Sequence, residues 1–115
     1  MIYEKSMKFA LRIVKLNKYL NSEKNEYVMA KQVLRSGTSI GANAAEARQA
    51  QSKRDFIAKM SIALSEACET EYWLELLYIS EYISKGEYES IIEDCRELSR
   101  MLTAIVKTSR NNLKK

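Results

Sequence analysis

The chain has 115 residues, 46% of them apolar and 30% charged, with a formal net charge of +4, no Pro and three Gly. Such a composition can bury one core of ordinary domain size, and it lacks the turn residues that a strand-rich fold needs roughly every ten positions. The absence of His removes imidazole acid–base catalysis, Ser-His and Cys-His nucleophiles and the usual nitrogen ligands of zinc.

No run approaches the roughly 20 apolar residues of a membrane span. The first residues carry Glu4, Lys5, Ser6 and Lys8 in place of an apolar leader. The expectation is a cytoplasmic protein with no membrane partner. Cys68 and Cys95 stand alone in apolar context. They are expected as buried free thiols, with a disulfide the lesser alternative.

Apolar residues spaced alternately by three and four predict four helices. The first carries the stripe Phe9, Ile13, Leu16 and Leu20, and the polar cluster Asn21 to Asn25 ends it. The second carries Val33, Gly37, Ile40, Ala44 and Ala47, and its Gly37, Gly41 and Ala45 recur every four residues. That row of small side chains permits close approach of another backbone, while each glycine weakens the helix by about 1 kcal/mol relative to Ala. Ser52 is placed to cap a third helix with Asp55 in its first turn, and its stripe is Phe56, Met60, Ala63, Ala67, Thr70, Leu74 and Leu77. Ser84 and Glu87 form a fuller capping box ahead of Ile91, Cys95, Leu98, Leu102 and Ile105. Helices of this repeat joined by short connections pack as antiparallel neighbours crossing at about 20°. The fold class is all-α, a single up-down four-helix bundle over residues 1–115.

Charge is segregated along the chain. Residues 1–65 carry twelve Lys and Arg against five Asp and Glu, residues 66–97 two against ten, and residues 98–115 five against none. Lys5, Lys8, Arg12 and Lys15 form a basic stripe on the first helix, and Arg48, Lys53 and Arg54 cluster between the second and third. Three readings stand side by side. Neighbouring basic and acidic helices can satisfy each other, one subunit's acidic face can meet the next one's basic face in a ring or filament, or the basic residues can contact phosphates.

Beside the small seam of the second helix runs a polar stripe, Gln32, Ser36, Ser39, Asn43 and Glu46. It reads as an exposed face or as a partly buried seam in which Asn43 and Glu46 bond across to another helix or subunit and fix register. The segment Leu34 to Ala47, with Arg35, Ser39, Ile40, Asn43, Ala45 and Glu46 in place, resembles the signature of the bacterial S23, or 23S rRNA intervening-sequence protein, family. Further matches are Ser52 to Phe56, Ser61 to Glu66, and Tyr82 to Ser84 followed by Tyr88. The chain departs from the family pattern at Gly41, Ala44 and Ala47, where Pro, Ile and Gly are common.

The resemblance implies an up-down bundle assembling as a homopentameric ring with a central opening. It also implies kinship with the accessory variability protein of diversity-generating retroelements, which binds a reverse transcriptase and nucleic acid. The expected function is a non-enzymatic oligomer whose partners are further copies of itself and RNA, DNA or a nucleic-acid enzyme such as a reverse transcriptase. Lys5, Lys8, Arg12, Lys15, Arg48, Lys53 and Arg54 are the candidate phosphate contacts, and Arg35, Ser39, Asn43, Glu46 and Glu66 the candidate motif and interface residues. The alternative is a protein–protein adaptor using Tyr72, Trp73 and Tyr78 as anchors. No catalytic, metal or cofactor residue is assigned, and a carboxylate metal site from Glu46, Glu66 and Glu69 is the least favoured reading.

Overall fold

The computed structural model describes residues 1–114; Lys115, the last cation of the basic tail, lies outside the described residues. Four helices follow one another, α1 (Ile2–Ser22), α2 (Val28–Ala47), α3 (Lys53–Ile79) and α4 (Lys85–Leu113), with no strand among the described residues. Neighbours in sequence pack side by side, α1 also closes against α4, and the diagonal pairs do not approach. The result is an elongated four-helix bundle with extents of 51 × 21 × 20 Å. Its α1–α4 seam is the loosest of the four.

The helix ends follow from local chemistry. Ser52 Oγ accepts from Asp55 N, and Ser84 and Glu87 exchange both bonds of a capping box. The carboxylate of Glu26 accepts from the amides of Met29 and Ala30, so an acidic side chain covers the orphan donors at the start of α2. At the close of α3, Tyr82 N donates to Leu77 O and Glu81 N to Tyr78 O, the double bond of a Schellman motif. Glu81 therefore holds the left-handed position, φ 68°, where glycine usually sits.

The core comes from the expected stripes, with two shifts. Ile57 is buried at the start of α3 where Phe56 was expected, and Val106 replaces Ile105 near the end of α4. Phe56 and Ile105 lie half-buried against the core, as does Leu16. Leu98, Leu102 and Val106 keep an interval of four, because a straight helix of 3.6 residues per turn drifts from a 3.5 repeat. Despite its glycines, α2 runs unbroken. Cys95 is buried, but Cys68 is exposed, which corrects the expectation of two buried thiols. Position 68 faces outward because the α3 core face is already filled by Ala63, Ala67, Thr70 and Leu74.

Candidate functional surfaces

The basic stripe of α1 faces α4. Lys5 Nζ lies 3.0 Å from Glu97, and Arg12 reaches Asp94 at 2.7 Å together with the Ser90 hydroxyl at 3.0 Å. The bundle's up-down order creates these pairs, since it sets the first helix beside the last. Half-exposed pairs of this kind contribute up to about 1 kcal/mol each, and they occupy two of the stripe's four cations. Lys8 and Lys15 remain exposed, and neither makes an ion pair among the described residues. Sequence inspection missed Ser90, Asp94 and Glu97 as partners because some eighty residues separate them from α1.

The signature residues lie on the α2–α3 seam. Arg35 bridges Glu66, at 3.3 Å, and Glu69, one turn further on. Glu69 also accepts from the Trp73 indole at 3.0 Å, and Gln32 accepts from Arg35 Nε at 3.4 Å. Beneath this network the buried hydroxyls of Ser36 and Thr70 sit 3.0 Å apart, and Thr70 lies 2.7 Å from the Glu66 carbonyl. Both buried hydroxyls thus have partners, which removes most of the cost of placing them in the core. Ser36 is completely buried, so the polar stripe of α2 is in part a buried seam. Ser39 and Asn43 bond back along their own helix, to the carbonyls of Arg35 and Ser39. Among the described residues Asn43 makes no bond across the bundle. Glu46 stands 3.9 Å from Lys59 of α3. Glu69 and Thr70, which complete the network, are recognisable from sequence only by their spacing from Glu66. With Glu66 and Glu69 committed to Arg35, no metal-binding cluster forms among the described residues.

The tip residues divide. Arg48 spreads over the Tyr3 ring at 4.1 Å, tying the end of α2 to the start of α1. Lys53 and Arg54 are exposed in the first turn of α3. Of the three aromatic anchors only Tyr72 is exposed, at 59%, with Trp73 edge-on to it at 5.0 Å. Tyr78 is half-buried and stacks on Tyr88 at 4.6 Å.

Two further surfaces stand out. On one side, Tyr3, Met7, Ala10, Thr38, Ala42 and Ala45 line a largely apolar hollow of about 280 Å³ between α1 and α2. Met7 and Leu11 are exposed on the same helix. On the other side, α3 is apolar beyond its core face, with Ile62, Tyr72 and Ile79 exposed. No helix is long and apolar enough to cross a membrane among the described residues.

A family model described as 23S rRNA-intervening sequence protein matches residues 1–104. Among solved structures, the chain is similar to a protein of unknown function from the S23 ribosomal protein family of Bacteroides thetaiotaomicron. The two are 58% identical over 93% of this chain and 99% of that one, with a TM-score of 0.92. No curated protein is significantly similar in sequence.

Proposed function

The chain belongs to the 23S rRNA-intervening sequence protein family, and from that premise we propose that it is a non-enzymatic, self-assembling scaffold that presents basic surface to nucleic acid or to a nucleic-acid enzyme such as a reverse transcriptase. The assembly is a ring of five copies working in the cytoplasm. One observation carries the reading: the bundle leaves two unlike apolar faces exposed, the α1–α2 hollow with Met7 and Leu11, and the outward side of α3 with Tyr72 and Ile79.

Large exposed apolar surfaces mark contact sites. Exposed lysines flank the first face and an exposed carboxylate sits within the second. Lys8, Lys18 and Lys31 are exposed on α1 and α2, and Glu75 is exposed on α3. Unlike faces on different sides of one molecule join head to tail, and such contacts close into rings when the rotation permits. The family resemblance supplies the count of five. A net charge of +4 and a sequence pI of about 9.1 suit an assembly that meets polyanions.

Native mass spectrometry on protein purified without nuclease tests this reading. The expected result is a pentamer carrying RNA or DNA, reduced to monomer by Leu11→Glu or by Tyr72→Glu with the helical content intact. Monomers alone at tens of micromolar would overturn the assembly. A pentamer free of nucleic acid, binding a protein partner insensitively to salt, would favour the adaptor reading, for which the Tyr72–Trp73 pair is the supporting feature.

A further inference from the structure

We propose that the end of the bundle where α3 begins and α4 finishes docks the phosphate backbone of a nucleic acid. The inference rests on the nucleic-acid reading above; it keeps the candidate tip residues Lys53 and Arg54, joins them to the end of α4 and sets aside the α1 stripe. Antiparallel packing brings Lys53 and Arg54, at the start of α3, to the last turns of α4 with Lys107, Arg110 and Lys114. Lys53, Phe56, Ser109 and Asn112 line one hollow of about 200 Å³, and Lys107, Arg110, Asn111 and Lys114 border a second of about 280 Å³. All five cations are exposed.

The pole gathers more unpaired cations than the α1 stripe, where only Lys8 and Lys15 are free of ion pairs among the described residues. Among the described residues none of the five makes an ion pair, and Arg110 reaches only the Ser61 hydroxyl, at 3.5 Å. Of the carboxylates near this end, Glu4 pairs with the N-terminal ammonium at 2.7 Å, Glu46 stands 3.9 Å from Lys59, and Asp55 accepts from the amide of Gln51 at 3.4 Å. On α1, by contrast, Lys5 and Arg12 are matched by Glu97 and Asp94. Lys53 and Arg54 also sit at the positive end of the α3 dipole, where folding alone favours acids. A bound polyanion relieves both that opposition and the mutual repulsion of the five cations.

Ser109, Asn111 and Asn112 add neutral donors of the kind that position phosphates. None of the exposed aromatic side chains lies at this end to stack on bases. The site therefore grips the backbone and tolerates any sequence.

Fluorescence anisotropy with labelled 20-base-pair RNA and DNA duplexes, each in two unrelated sequences, tests the assignment across 50–200 mM salt. With five phosphate contacts, log K should fall against log salt with a slope of about −4.5, roughly a 500-fold loss across the range. Within each nucleic acid the two sequences should bind within a few-fold of each other. Lys53→Gln, Arg54→Gln, Lys107→Gln and Arg110→Gln together should weaken binding at least about 100-fold at the lowest salt and flatten the slope toward zero. The comparison variant Lys24→Gln, Lys85→Gln, at the opposite end of the bundle, should stay near wild type, and circular dichroism should show both variants fully helical. Binding by the pole variant that matches wild type overturns the pole while leaving the nucleic-acid reading standing. Strong preference for one sequence overturns backbone docking in the same way. A wild-type protein that binds neither duplex at 50 mM salt overturns both.

Discussion

Gly37 and Gly86 occupy helices of the same bundle under opposite constraints. A Cβ at 37 would stand 2.8 Å from Ile13 Cγ1 and 2.9 Å from Cγ2, whereas a Cβ at 86 would meet nothing within 4 Å. Ile13 is fully buried and cannot swing away. Gly37→Ala should therefore destabilise the fold by about 1–3 kcal/mol, overpacking outweighing the gain in helix propensity. Gly86→Ala should stabilise it by up to about 1 kcal/mol. Urea titrations of the two variants read both signs, and a stabilised Gly37→Ala would show that α1 and α2 are not packed this closely. The four-residue spacing of small side chains made a close approach legible in the sequence. It could not say that Ile13 is the residue which approaches, because that depends on the register of α1 against α2. Asn43 shows the opposite outcome. Its place in the polar stripe suggested a bond across the bundle, and the structure turns the amide onto its own helix at 2.9 Å from the Ser39 carbonyl.

At the scale of the element, the start of α4 was readable because a capping box is local chemistry confined to four residues. Ser84 N donates to Glu87 Oε1 at 3.0 Å and Glu87 N to Ser84 Oγ at 3.1 Å. The Ser84 amide first, and its hydroxyl second, hold the Glu87 carboxyl below its ordinary 4.5. The folded chain then binds fewer protons than the unfolded chain in this window. The contribution is complete above about pH 4.5 and is lost as the pH falls through the lowered folded value. Glu87→Gln should cost only a few tenths of a kcal/mol at pH 7, since Gln serves the same box. It should also make the melting temperature fall less steeply as the pH drops below about 4.5. An acid limb identical to that of the wild type would remove Glu87 from the pH response. The start of α2 was less legible. Its cap is the carboxylate of Glu26, which lies next to Asn25 in left-handed conformation, φ 51°, and that turn is decided by how α1 hands over to α2. The ends of the α3 and α4 stripes shifted for a related reason: a repeat counted from the middle of a helix loses phase toward its ends.

For the whole molecule, the order of the helices decides what each charged face meets. The α1 stripe, the most visible basic feature of the sequence, lies against the carboxylates of α4, while the scattered cations of the α2–α3 connection and the α4 tail converge on one pole. The two cysteines offer a probe of assembly at the same scale. Cys95 is enclosed, 3.5 Å from the Ala67 carbonyl, and burial pushes its thiol up to about 12. Cys68 is exposed on α3 four residues from Tyr72, on the side assigned to the neighbouring copy. Maleimide should label one thiol per folded chain, Cys68, with a rate that drops as rising concentration drives assembly, and a second thiol only in denaturant. Equal labelling of both thiols in the native protein would contradict the closed α3–α4 core. A Cys68 rate independent of concentration would place the interface elsewhere.

What the sequence determined by itself is everything governed by near neighbours along the chain: four helices, two of their caps, the core stripes and the all-α class. Those follow from a 3.6-residue period and from hydrogen bonds spanning three or four positions. The signature around Asn43 carried the family, because it lies in one unbroken stretch of α2. Only the tertiary structure decided which charges are spent and which are free. Lys5 and Glu97, or Arg35 and Glu69, are brought together by packing, and ion pairs act over a few ångströms whatever the distance along the chain. The burial of Cys95, the exposure of Cys68 and the basic pole were settled in the same way, by the face each helix turns to its neighbours.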